Sequence, residues 1–177
     1  MTIPNLITVG RLLLVPVIVW FISDGAFVAA FAVFVIAGIS DGIDGFIARQ
    51  YNLRSELGTY LDPIADKALL VSIYLSLALI SEMAGWLAVI VVSRDIFIIG
   101  GVILAWIMER PIEVKPLIIS KFNTAGQIVL AAVVIGDLAF SAGLGDLRNW
   151  LTWLVGVLTI GSAAAYLSDW ARHMTND

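Results

Sequence analysis

Four aspartates form the constellation in this chain best suited to chemistry, and they fall in two short segments. The first reads Asp41-Gly42-Ile43-Asp44-Gly45-Phe46-Ile47-Ala48-Arg49, and after eight further residues the second reads Gly58-Thr59-Tyr60-Leu61-Asp62-Pro63-Ile64-Ala65-Asp66. Asp41 and Asp44 are spaced i, i+3, and Asp62 and Asp66 i, i+4, so on helices each pair projects from one face. Helices joined by the short polar segment from Gln50 to Gly58 lie antiparallel, and the two pairs can then meet at the loop end. Four carboxylates gathered with few cations repel one another unless a cation neutralises them. Hard divalent ions such as Mg²⁺ or Mn²⁺ prefer such oxygen ligands. An aspartate in an apolar helix can also be the partner of a buried Arg or Lys, and Gly42 and Gly45 can serve helix packing. Packing alone does not account for two pairs.

The elements that must position these acids are apolar. The chain has 177 residues, 60% hydrophobic and 14% charged, with a mean hydropathy of +0.99. Soluble domains carry roughly 25% charged residues, so the expected fold is all-α: a polytopic membrane protein, one domain over residues 1–177. A carboxylate left bare in hydrocarbon costs roughly 2.5 to 3.5 kcal/mol, so the acids mark a functional site. No cysteine is present, which excludes disulfides and thiolate metal sites. The single histidine, His173, falls in the polar tail. No basic patch suggests nucleic acid, and the first apolar run reads as a retained helix rather than a signal peptide.

Six transmembrane helices are predicted, at about 6–23, 26–50, 62–81, 86–108, 117–140 and 147–172, each near the ~20 residues that span a bilayer. Asp62 is expected to cap the third, with Pro63 at its first helical position. Assigned to the nearer helix end, Arg11, Arg49, Arg54, Lys67, Arg110, Lys115, Lys121 and Arg172 share one side, and Arg148 takes the other. Excess Lys and Arg mark the cytoplasmic side, so both termini and the acids are expected there. Trp86, Trp150 and Trp153 then anchor the outer interface, and Trp106 and Trp170 the inner one. Asp137 and Asp146 are expected exposed at the outer surface. The small residues from Gly156 to Ala165 suit close helix approach or a dimer contact.

The pattern D-x-x-D-G-x-x-A-R, eight residues, G-x-x-x-D-x-x-x-D resembles the signature of the CDP-alcohol phosphatidyltransferase family, matched at every fixed position. The resemblance runs from Ile3-Pro4-Asn5 through the last helix. It implies transfer of the phosphatidyl group of a CDP-linked lipid, usually CDP-diacylglycerol, to an alcohol with release of CMP. It further implies that Asp41, Asp44, Asp62 and Asp66 hold two divalent ions, with Asp66 also the general base. Gly45, Ala48 and Gly58 match the small positions where the nucleotide approaches, and Arg49 matches the motif arginine. For the glycines, plain helix packing stays open. A homodimer in a bacterial inner membrane is likewise implied.

Two branches begin with Pro4-Asn5-Leu6-Ile7-Thr8, Arg11 and Pro16. One makes phosphatidylglycerophosphate from glycerol 3-phosphate and typically has a further arginine in helix 4; here Ser93-Arg94-Asp95 is followed by none. The Arg94-Asp95-x-x-x-x-Gly100-Gly101 run and Ile118-Ile119-Ser120-Lys121-Phe122-Asn123-Thr124-Ala125 resemble the cardiolipin synthase branch, whose acceptor is phosphatidylglycerol. A phosphodiester acceptor carries one charge fewer than a phosphomonoester and needs fewer cations. Arg94 is either an acceptor-phosphate ligand or the partner of Asp95. Arg11, Lys121 and Asn123 are further candidates for lipid or acceptor phosphate, with a snorkelling lysine the plainer reading of Lys121. Acids in a helical membrane protein also occur in cation transporters, which predict polar residues along the whole path.

Overall fold

The computed structural model describes residues 3–50, 56–107 and 118–175, with side chains at 8–43, 64–100 and 118–168. The described residues form six helices and no strand: α1 (Ile3–Ser23), α2 (Phe27–Gln50), α3 (Glu56–Leu79), α4 (Gly85–Ile107), α5 (Ile118–Phe140) and α6 (Gly145–Thr175). Among the residues whose side chains are described, two helical stretches are long and apolar enough to cross a membrane, α5 and residues Gly145–Ser168 of α6. Within the same residues, the described parts of α1 and α2, Thr8–Ser23 and Phe27–Ile43, are apolar too. Trp20, Leu79, Phe97 and Val157 lie on the outside, the inverse of a water-soluble surface. Hydroxyls inside the helices turn back on carbonyls four residues earlier, as at Ser40, Ser76, Thr124 and Thr152. That keeps them paired where water is absent. The apolar helices and apolar exterior are those of an integral membrane protein.

The third helix departs from its expected start. It begins at Glu56, so Asp62 and Pro63 lie inside it rather than at its cap. Proline removes one backbone bond, a loss that membrane helices absorb, and Pro16 sits inside α1 in the same way.

The chain divides into two compact units. The first comprises α1, α2, α3 and residues 131–144, with α1 packed on both α2 and α3. Each of these helices buries a stripe at helical spacing: Arg11, Ile18 and Ile22 on α1; Ala30 and Ala37 on α2; Leu70, Ile73 and Leu77 on α3. Gly25 closes α1, and its φ of 74° suits the left-handed position at a helix end. There the Ala26 N–H reaches the Phe21 carbonyl and the Gly25 N–H the Ile22 carbonyl. α3 ends in the same motif around Ser81, a non-glycine residue at φ 64°. Asp137 was expected to be exposed but is buried. Its carboxylate accepts the Leu144 N–H at 2.9 Å, which satisfies a donor in the turn after α5.

The second unit comprises α4, α5 as far as Leu130, and α6. Leu87 and Val91 of α4, Leu130 of α5, and Leu151 and Val155 of α6 form its apolar core. Gly156 lets the Trp86 indole lie against α6: a β-carbon added there would stand 2.8 Å from Trp86 Cη2. At Gly161 the same addition would stand 3.1 Å from Ile119 Cδ1. Both glycines thus serve close helix approach.

Candidate active site

The stripes explain how charge reaches the middle of the first unit. Asp41 stands four residues after Ala37 on α2, and Asp66 four residues before Leu70 on α3, so each continues a buried stripe. Arg11 lies on the matching stripe of α1, seven residues before Ile18. Packing α1 against both neighbours therefore gathers the three side chains. Arg11 Nη1 stands 2.7 Å from Asp41 Oδ1 and also donates to Asp66 Oδ1.

The exposures are uneven, and that decides what the arrangement can do. The Arg11 side chain is 1% exposed, Asp41 49% and Asp66 46%. The guanidinium thus sits beneath the two carboxylates, which keep an open side. Two like charges ~4 Å apart repel by about 4 kcal/mol at an effective dielectric of ~20, and a shared cation offsets this. Two half-open carboxylates from different helices, held within reach of one atom, fit the oxygen donor set of a hard divalent cation. Among the described residues no group of three or more acids gathers.

Asp44, Gly45, Ala48 and Arg49 lie on the helical backbone of α2, and Gly58 and Asp62 on that of α3, with their side chains outside the described residues. Arg54, Arg110 and Lys115 lie outside them altogether. Around Gly42 the space is open: a β-carbon there would meet no described atom within 4 Å.

Arg94 has a different setting. It is 4% exposed and donates from Nη1 to Asp95 at 2.6 Å, and from Nη2 to Ser120 at 2.5 Å and Ser162 at 2.9 Å. Its Nε reaches Ser162 at 3.3 Å, and its guanidinium carbon lies 5.6 Å from the Tyr166 ring centroid. Of the two readings of Arg94, the ion pair with Asp95 is present, and the remaining donors tie α4 to α5 and α6. Asn123, wholly buried, accepts from the Thr159 hydroxyl at 2.8 Å. Lys121 is exposed.

Sequence reasoning missed Ser120, Thr159, Ser162 and Tyr166 as partners. A signal was present: 120, 123 and 127 on α5, and 159, 162 and 166 on α6, repeat as i, i+3, i+7 polar positions in apolar spans. Such a repeat marks a face that must find polar partners.

A family model described as CDP-alcohol phosphatidyltransferase matches residues 1–161. The cardiolipin synthase (CMP-forming) of Rattus norvegicus is 36% identical over 181 residues, covering 93% of this chain and 60% of that protein. The CDP-diacylglycerol--glycerol-3-phosphate 3-phosphatidyltransferase of Aquifex aeolicus is 31% identical over 176 residues, covering 98% of this chain and 94% of that protein. The chloroplastic CDP-diacylglycerol--glycerol-3-phosphate 3-phosphatidyltransferase 1 of Oryza sativa subsp. japonica is 34% identical over 187 residues, covering 94% of this chain and 56% of that protein. The chain thus spans less than two thirds of the rice and rat relatives.

Proposed function

The chain belongs to the CDP-alcohol phosphatidyltransferase family, and from that premise we propose that it is a cardiolipin synthase, transferring the phosphatidyl group of CDP-diacylglycerol to phosphatidylglycerol with release of CMP. The observation that carries the site is the convergence of Asp41 and Asp66, from α2 and α3, on one buried cation.

Asp41, Asp44, Asp62 and Asp66 would hold two divalent ions, Mg²⁺ or Mn²⁺. Bound there, such ions supply charge neutralisation and alignment of the pyrophosphate, the main demands of phosphoryl transfer. Asp66 accepts the proton of the attacking hydroxyl. That hydroxyl oxygen bonds to the lipid-side phosphorus as the bond from this phosphorus to the CMP oxygen breaks, and CMP leaves with the electron pair. Gly45, Ala48, Arg49 and Gly58 are the proposed CDP-binding positions. Lys121 is the exposed candidate for the acceptor phosphate.

The acceptor assignment is favoured by Arg94. Its donors are engaged with Asp95, Ser120 and Ser162, and no second arginine follows it in α4. A phosphomonoester dianion calls for a cluster of cations with donors to give, and a phosphodiester lipid calls for fewer. The runner-up is a phosphatidylglycerophosphate synthase using glycerol 3-phosphate, the reaction named for the Aquifex and rice relatives. The proposed setting is a bacterial inner membrane, with six spans, both termini and the acids on the cytoplasmic side, and a homodimer as the working state.

The test is product analysis with purified protein, CDP-diacylglycerol and Mg²⁺ or Mn²⁺, offering phosphatidylglycerol and glycerol 3-phosphate in parallel and following CMP. Cardiolipin from the first acceptor alone is expected. Phosphatidylglycerophosphate from the second would overturn the acceptor and leave the family chemistry in place.

A further inference from the structure

We infer that Arg11 is a positioning residue of the metal centre: a buried guanidinium that draws Asp41 and Asp66 together from beneath, so that the two carboxylates are already convergent when a divalent cation arrives. The inference rests on the metal-binding reading above and adds to it a residue from a third helix.

Three observations support it. The ion pairs described for Arg11 with Asp41 and with Asp66 both run through Nη1, and each uses Oδ1 of its carboxylate. Arg11 sits on α1 while the acids sit on α2 and α3, so the contact fixes the spacing of two helices through the one that packs on both. The guanidinium is almost wholly buried while both carboxylates are half exposed, so a cation arriving from outside meets the carboxylates and not the guanidinium. Without this cation the two acids would repel and their helices could relax apart. The incoming ion would then have to collect its ligands as well as bind them. Groups that orient metal ligands from behind in this way commonly change metal affinity by about 10- to 100-fold.

The opposite role is physically available. A guanidinium lodged between two carboxylates could instead occupy the metal's place and compete with it. The two roles predict opposite signs. A role in folding alone predicts no change in metal affinity.

The experiment measures Mn²⁺ binding by electron paramagnetic resonance on the full chain in lipid nanodiscs, alongside thermal unfolding in chelator. Wild type, Arg11→Lys, Arg11→Met and Asp66→Asn are compared. Asp66→Asn establishes that the bound ion belongs to this site. If wild type binds no Mn²⁺ that Asp66→Asn removes, the metal reading itself fails and the inference falls with it. With that control satisfied, Arg11→Met is expected to weaken Mn²⁺ binding about tenfold or more. Arg11→Lys, which keeps the charge but replaces the rigid planar guanidinium with a flexible amine, is expected to fall between. Binding as tight as wild type, or tighter, in either variant overturns the inference. If Arg11→Met does not fold, Arg11→Lys decides alone.

Discussion

Arg94 reaches the single hydroxyl of Ser162 with two of its nitrogens, Nε at 3.3 Å and Nη2 at 2.9 Å. The fork pins α4 to α6 across an apolar contact, and Ser120 on α5 takes a further bond from the same guanidinium. A buried cation used in this way holds helices in place, and losing it leaves Asp95 buried without its ion pair.

Arg94→Met is therefore expected to lower stability by about 3–5 kcal/mol, the usual cost of leaving one member of a buried ion pair alone. The KM of the folded fraction for phosphatidylglycerol should stay near wild type. Thermal unfolding in nanodiscs, read beside acceptor titrations, checks both. A raised KM with unchanged melting would instead make Arg94 an acceptor ligand.

Asp66→Asn keeps the shape of the side chain and removes its charge and basicity. CMP release is expected to drop by about 10²–10⁴-fold, the range for a lost general base, with helical content intact by circular dichroism. Intact CMP release in both Asp41→Asn and Asp66→Asn would leave only a scaffold role for these acids.

Removing divalent ions with a chelator should abolish CMP release, and adding back Mg²⁺ or Mn²⁺ should restore it. Because Arg11 still pairs the acids without metal, the chelated protein should stay folded. Unfolding on chelation would mean that the ion, rather than Arg11, holds α2 and α3 in register.

Gly156→Ala would press a methyl to within 2.8 Å of the Trp86 indole. Overpacking of this kind costs about 1–3 kcal/mol. The smaller ring of Trp86→Phe in the same chain should recover part of it. Gly42→Ala, with no described atom within 4 Å of the added methyl, should leave the melting midpoint unchanged or raised, since alanine favours helix by about 1 kcal/mol over glycine.

Ser81 holds a left-handed backbone at the end of α3, a conformation that costs an ordinary L-residue roughly 1–2 kcal/mol and glycine very little. Ser81→Gly is expected to raise stability, partly offset by glycine's greater freedom in the unfolded chain. A lower melting midpoint would mean that the hydroxyl matters more than the backbone.

Much of the fold could be read in advance because its signals are local. Apolar runs ended by turn residues located five of the six helices to within a few residues, and aspartate spacing put Asp41 with Asp44, and Asp62 with Asp66, on one face of each helix. The misses came where context overrode a local signal. Asp62-Pro63 resembles a helix start, yet α3 runs through it from Glu56 because a membrane helix tolerates a missing donor. Asp137 has the composition of a surface residue, yet the Leu144 N–H in the following turn draws it inside.

By itself, the order of residues determined that this chain is apolar and helical, and that its acids come in helical pairs, because periodicity and charge are properties of neighbours along the chain. Which cation meets which acid was decided only in three dimensions. Arg11 lies 55 residues from Asp66, and no spacing rule reaches that far. Their contact exists because the buried stripes of α1, α2 and α3 align when the helices pack, which also leaves the two carboxylates half open above a buried guanidinium.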